Sequence, residues 1–316
     1  MPFTQFQWFI TYNFNRMLHR AKLALPVAST ILLLVTGCAT QPHKKPEEPL
    51  LKTKIDFEQI LWYAKRANAA YQTEAYIKQT FPQVIQVATL PNIDVQYFVE
   101  VYPEKQLQVI SIRGTANFKN IKEDAEYIPI KNPKLGIYVH RGFDDDATKL
   151  YTDLIPYLDK NYKVRITGHS LGAAIATLIM MYLHADGFHI DKAINFGQPK
   201  VTNKKGAATY NFLPLLRVAD ENDVVPLVPP ITLLDSIHGI YEHLGREVIL
   251  LDSQYYVYLE EHNAERKSVG SFWKNIEHES IEEHFMKNYL KNISSKLRDA
   301  VQVPYAQREK YIGTAK

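Results

Sequence analysis

Residues 163–187 read KVRITGHSLGAAIATLIMMYLHADG, and three kinds of local structure follow one another within them. Lys163 to Thr167 alternates polar and apolar residues, the period of a strand. Gly168-His169-Ser170-Leu171-Gly172 has the form G-x-S-x-G, an abrupt strand-to-helix turn that makes a serine hydroxyl stand clear of a sheet. The apolar run after it predicts a long buried helix, with Gly187 placed to cap its C-terminus. Glycines 168 and 172 remove the Cβ atoms that would hold strand and helix apart. Ser170 is therefore a candidate nucleophile. The competing reading is a helix-capping serine, since serine is a favoured N-cap.

The flanking sequence supplies the rest of a layered fold. Val95 to Val101 alternates, Pro103-Glu104-Lys105 turns, and Leu107 to Ile112 returns, which predicts a hairpin ending at Arg113-Gly114-Thr115. Lys192 to Phe196 and Leu215 to Ala219 predict two further strands, the second running into DENDVVP at 220–226. Glu247–Leu251 and Gln254–Leu259 predict a peripheral hairpin. Helical spacing marks Asp56 to Gln72, with Asp56 as N-cap, the run from His140-Arg141-Gly142-Phe143 to about Leu158, and Ile281 to Leu297. Strands alternating with helices imply an α/β fold with a mostly parallel central sheet and helices on both faces. In such sheets the site lies at the carboxyl ends of the strands. Thr115, Ser170 and Asp223 each follow a predicted strand.

A serine hydroxyl needs a base to take its proton, and the base needs an acceptor to hold it. In α/β-hydrolases the chain order is serine, acid, histidine. After Ser170 the acids at strand ends are Asp220 and Asp223, and the histidines are His184, His189, His238, His243, His262, His278 and His284. An oxyanion hole needs two donors, one of them the backbone N–H after the nucleophile, here Leu171. Histidines and carboxylates do not fall at a zinc-ligand spacing such as H-E-x-x-H. The chemistry requires no metal and no cofactor.

RGT at 113–115, VHRGF at 139–143, GHSLGAAIA at 168–176, NFGQPKV at 195–201 and NDVVPLVPP at 222–230 together resemble the class 3 lipases, the fungal-lipase-like α/β-hydrolases. YEHLGREV at 241–248 and EHFMKNYLKNI at 283–293 are similar to later segments of that family, in the same order. The resemblance covers roughly Asp56 to Ile293. It implies an α/β-hydrolase fold and a serine carboxylic-ester hydrolase, a lipase or phospholipase, with a lipid or ester substrate. It implies Ser170 as nucleophile, Asp223 as acid with Asp220 its structural neighbour, and His284 as base. The family usually has D-H-S where this chain has Glu283-His284-Phe285. His243 fits the family's H-x-G position, a structural one, and His140 a hydrogen-bonded histidine beside the site. Thr115 matches the second oxyanion donor. Asn117 to Tyr138 matches the lid by position, carrying Phe118, Ile121, Tyr127, Ile128 and Ile130 among charged residues.

The 316 residues are 46% hydrophobic and 22% charged, ordinary for a globular protein. The net charge of +3 resides in residues 1–37, which hold Arg16, Arg20 and Lys22 and no acid; the remainder carries 34 basic and 34 acidic residues. That balance argues against nucleic-acid binding. From Met17 a basic start, an apolar run from Leu23 to Val35 and small residues have the layout of a secretory signal. The run is too short to span a membrane and contains Pro26. Val35-Thr36-Gly37-Cys38 resembles a bacterial lipobox, and Cys38 is the single cysteine of the chain. The expected organisation is a signal at 1–37 with its start at Met17, then lipidated Cys38 and a proline-rich spacer at 38–52. The hydrolase domain follows at 53–316. Ala39 points to the outer membrane. Nothing in the sequence calls for an obligate protein partner.

Overall fold

In the computed structural model, residues 51–52, 55–114, 128–229, 239–260 and 281–313 are described. Cys38, Thr115 and residues 117–127 of the expected lid lie outside them. The compact unit that contains the described residues begins at Glu48.

The main sheet is built around five parallel strands. These are β4 (Leu107–Ile112), β7 (Lys163–His169), β8 (Ile190–Phe196), β10 (Leu215–Asp220) and β12 (Arg246–Leu250), in the spatial order β4-β7-β8-β10-β12. On one side the sheet continues antiparallel through β3 (Val95–Tyr102) to β2 (Val84–Leu90). On the other it continues through β13 (Tyr255–Leu259) to β14 (Val301–Gln302) and β1 (Leu51–Lys52). The predicted 95–101/107–112 hairpin is present as β3 and β4. The 247–259 hairpin is present too, but it is not peripheral: β12 pairs parallel with β10 over five residues and extends the central sheet.

Helices cover both faces. One face carries α1 (Phe57–Ala69) and the other carries α3 (Arg141–Leu154) and α4 (Leu171–Ala185). A shorter helix, α2 (Glu74–Thr80), follows α1, and α5 (Lys204–Tyr210) and α6 (Met286–Ser294) complete the set among the described residues. Asp56 caps α1 as expected, its carboxylate accepting from Gln59 N at 2.9 Å. Phe57, Ile60, Tyr63 and Ala64 of α1 join Tyr289 and Ile293 of α6 over Ile194, Phe196, Val218 and Val248 of the sheet. Their strand neighbours Ala193 and Leu215 point the other way, into the core under α3 and α4. The pleat thus divides each buried strand between two cores.

Twelve of the fifteen residues of α4 are buried, so it is apolar all round because it is enclosed all round. Each fully buried Leu, Ile or Met there contributes roughly 1.5–3 kcal/mol of transfer free energy. This packing holds the helix, and hence its first residue Leu171, rigidly against the sheet. A second sheet, β11-β9-β6-β5, is formed by Tyr241–Glu242, Thr202–Asn203, Tyr138–His140 and Pro129–Lys131. The segment expected as one helix from Ile281 is broken instead. A 3-10 turn spans Ile281–His284, Phe285 adopts extended backbone, and α6 begins at Met286.

Candidate active site

Four strand ends meet at the carboxyl edge of the parallel strands. Strand β4 delivers Arg113 and Gly114, β7 delivers Ser170, β8 delivers Gly197, and β10 runs on to Asp223. The turn at Ser170 is tight for a reason its neighbours show. A Cβ on Gly168 would fall inside the backbone of Gly172, and a Cβ on Gly172 would lie 2.5 Å from the carbonyl oxygen of Ile112. Ser170 itself takes φ 58° and ψ −130°, a conformation that costs a non-glycine residue of order 1–3 kcal/mol. Its amide donates to the Phe196 carbonyl at 3.0 Å, which locks the turn against β8.

Although Ser170 is at the N-cap position of α4, its side chain makes no capping hydrogen bond. Its Oγ is buried and has no hydrogen-bond partner among the described residues. The capping reading therefore does not describe this serine. The hydroxyl stands free of the helix, and the Leu171 amide belongs to the first turn, whose N–H groups lack intrahelical partners.

Asp223 and His284, 61 residues apart, form a buried pair with Nδ1–H donating to Oδ2 at 2.7 Å. Asp223 Oδ1 accepts from the Val225 amide at 2.9 Å, and Oδ2 accepts a second bond from the Tyr289 hydroxyl at 2.5 Å. Burial alone would raise the pKa of this carboxyl. The charge and hydrogen bond of His284, together with Tyr289 and the Val225 amide, outweigh burial and hold it below the usual carboxylate range. Asp223 is thus kept ionised, and His284 is held with its proton on Nδ1 and Nε2 left to act as a base.

Ser170 is brought to this pair by its neighbours in the chain. The His169 ring lies 4.6 Å from the His284 ring, and His169 Nε2 bonds the His284 carbonyl oxygen at 2.7 Å. The Ser170–His284 hydrogen bond itself is not formed in this arrangement; such bonds commonly tighten only when substrate is bound.

Asp220 stands behind the pair. It accepts from Asn292 Nδ2 at 2.6 Å and from the Asn222 amide at 3.2 Å. Burial first, and then the charges of Asp223 and Glu283, push it up to about 6. Two histidines weighed from the sequence have other duties. His243 Nε2–H donates to the Pro226 carbonyl at 2.7 Å, tying down the loop after Asp223. His140 caps α3, Nδ1 accepting from the Phe143 amide at 3.3 Å, and burial lowers it to about 4. Neither touches Asp223 in any bond described here.

Three contributors were not singled out from the sequence. Tyr289 is one turn into α6 and bonds Asp223, while its oxygen accepts from the Asp220 amide at 3.1 Å. Gly197, at φ +54°, lies where a Cβ would be 2.8 Å from His284 Cε1 and 2.9 Å from Asp223 Oδ2. The signal for it was its place directly after a strand, next to the predicted serine strand. His169 was read only as the variable residue of G-x-S-x-G. Among the described residues no group of three His, Cys, Asp or Glu is arranged to hold a metal ion.

A mostly parallel sheet with helices on both faces, a strained serine at a strand end and a buried carboxylate–histidine pair beside it define an α/β-hydrolase fold. Residues 109–233 match the family model "Lipase (class 3)". The chain is 31% identical over 163 residues to a lipase of Rhizomucor miehei, covering 48% of this chain and 43% of that one. It is 33% identical over 163 residues to secreted mono- and diacylglycerol lipase 1 of Fusarium solani, covering 47% and 46%. These matches span less than half the length of either relative. The fold is similar to that of a triacylglycerol lipase described as having a serine protease triad as its catalytic centre. That likeness has a TM-score of 0.57 and 21% identity over 75% of this chain and 95% of the other.

Proposed function

We propose that this protein is a serine carboxylic-ester hydrolase acting on acylglycerol esters, held at a membrane by lipidated Cys38. The single observation that carries the reading is the strained, uncapped Ser170 beside an ionised Asp223 that fixes His284 in one tautomer. With its Nδ1 proton engaged, His284 takes the Ser170 hydroxyl proton on Nε2 as Oγ attacks the ester carbonyl. The developing oxyanion is met by the Leu171 amide, with Thr115 as second donor. Collapse of the tetrahedral intermediate expels the alcohol, which receives the proton from His284, and leaves an acyl-enzyme. Water, deprotonated by the same nitrogen, then releases the acid and restores the serine.

The substrate class is argued from the mono- and diacylglycerol lipase and the triacylglycerol lipase to which the chain is similar, and from the N-terminal layout. A lipid anchor with several acyl chains holds a protein firmly at a bilayer, and tethering raises the effective concentration of a lipid-directed site at that surface. The Ala39 position argues for the outer membrane of a bacterial envelope.

The reading is tested with residues 39–316 as native protein and Ser170→Ala, assayed on short-chain esters, long-chain acylglycerols and phospholipid vesicles. The expected result is hydrolysis of the acylglycerol by the native protein and loss of about 10⁶-fold in kcat on removing the nucleophile. Folded native protein without esterase activity identifies a scaffold in place of an enzyme. Turnover confined to phospholipid or to short esters would replace the acylglycerol assignment.

A further inference from the structure

Behind the nucleophile turn lies a one-way chain of hydrogen bonds that the mechanism above does not use. The Gly114 amide donates to the Tyr71 hydroxyl oxygen at 3.2 Å. The Tyr71 hydroxyl meets His169 Nδ1 at 2.8 Å, and His169 Nε2 meets the His284 carbonyl oxygen at 2.7 Å. A carbonyl only accepts, so His169 Nε2 carries the proton. Burial, with the neighbouring His284 charge, lowers His169 to about 3, so the ring is neutral at working pH. Nδ1 is then an acceptor, and the tyrosine donates to it. Each donor points the same way: Gly114 to Tyr71, Tyr71 to His169, His169 to His284.

The turn that presents Tyr71 is itself built. Gln96 on β3 donates from Nε2 to the carbonyls of Ala70 and Gln72, at 2.8 Å each, gripping the residues on both sides of the tyrosine. The Gln96 carbonyl accepts from the Arg113 amide at 2.8 Å, so the same residue fixes the strand end that leads into Gly114. Gly114 is pressed into this corner. A Cβ there would lie 2.7 Å from the His169 carbonyl oxygen, 2.9 Å from the Tyr71 hydroxyl and 3.1 Å from Ser170 Cβ.

We propose that Tyr71 and His169 are positioning residues for the hydrolysis: their hydroxyl–imidazole link fixes the end of β4 against Ser170 and both against the backbone of His284. The inference rests on Ser170 acting as the nucleophile. Strand β4, the turn after β7 and the 3-10 turn carrying His284 come from parts of the chain more than fifty residues apart. A shared relay is what keeps three such pieces in mutual register, and misplacement by an ångström at a reacting centre is enough to slow it markedly.

Tyr71→Phe removes the hydroxyl and keeps the ring. His169→Gln reaches the His284 carbonyl with its amide while surrendering the tyrosine, so it breaks the same link from the other side. Both variants and their double are assayed on a soluble short-chain ester, with rates expressed per site titrated by a fluorophosphonate and thermal unfolding followed in parallel. The expected result is a kcat lowered about tenfold in each, below the roughly 10²–10³-fold cost of losing an oxyanion donor outright. KM stays within about twofold, the sign of an interaction expressed in the transition state and not in substrate binding. The double variant loses no more than the worse single, because one link is broken in each case. Wild type that reacts with the fluorophosphonate, with kcat per site unchanged in both variants, overturns the inference alone. Additive losses in the double variant overturn the shared link. Wild type that does not react overturns the nucleophile, and the inference with it.

Discussion

At the scale of single residues, the site is made by what is absent as much as by what reacts. Gly197 shows this best. Its φ of +54° and the space its missing side chain leaves, under 3 Å from both His284 and Asp223, make it part of the acid–base pair without chemistry of its own. Gly197→Ala is expected to lower kcat by about 10²-fold by displacing the imidazole roughly an ångström. Steady-state kinetics beside a thermal melt checks this, and an unchanged kcat contradicts it. Ser170 was legible from local pattern, because glycine–x–serine–x–glycine between strand and helix has few physical solutions. His284 was not. Seven histidines followed the serine, and only the family resemblance separated His284 from His243. The 2.7 Å bond from its Nδ1 to Asp223 is a contact across 61 residues, and periodicity carries no information about such pairs. Tyr71 and Tyr289 were invisible for the same reason, since a half-buried and a buried tyrosine read simply as core.

At the scale of elements, the segments with strong periodicity were readable and the joints between them were not. The β3–β4 hairpin, α1 with its Asp56 cap, and the β7–turn–α4 unit all lie where the residue pattern puts them. Strand β2 escaped because it lies at an edge with most of its residues only partly buried. Strand β12 was seen but misplaced, since a parallel partner 30 residues away leaves no turn signature. That pairing is stapled by a buried ion pair, Arg217 Nη1 on β10 to Glu247 Oε1 on β12 at 3.1 Å.

The element that carries the acid has its own pH signature. Asp220, at the end of β10, is raised from 3.8 to about 6. Between those values the unfolded chain has lost the proton and the folded one keeps it, so stability falls as pH rises from about 4 to about 6. The full cost, about 3 kcal/mol, is then present above pH 6. Asp223 has the opposite sign: its depressed value adds stability above the ordinary carboxylate range, lost as pH falls through its folded value. Denaturant unfolding of Asp220→Asn across pH 4–7 is expected to lose the falling limb and to end more stable than the native protein at pH 7. A variant less stable at pH 7 than the native protein contradicts the assignment.

At the scale of the whole molecule, the proposed function gives two parts of the chain separate jobs. The folded unit supplies a rigid edge at which four strand ends converge, and the proposed function assigns residues 1–38 the part of an address. That proposal rests on composition, a basic and acid-free N-terminal stretch followed by a formally neutral remainder. The tether predicts that Cys38→Ser moves the protein from the membrane pellet to the soluble fraction while leaving turnover of a soluble short-chain ester unchanged. Membrane retention by Cys38→Ser contradicts the lipobox reading and leaves the active-site account intact.

The proposed hydrolysis turns on Ser170 forming the covalent bond. The most direct measurement is mass spectrometry of the intact protein and its peptides after reaction with a long-chain alkyl fluorophosphonate. A single adduct on the peptide containing Ser170, absent from Ser170→Ala and much slower to form in His284→Ala than in His243→Ala, is the predicted result. No adduct on the folded protein, an adduct on another residue, or a greater loss with His243→Ala would contradict it.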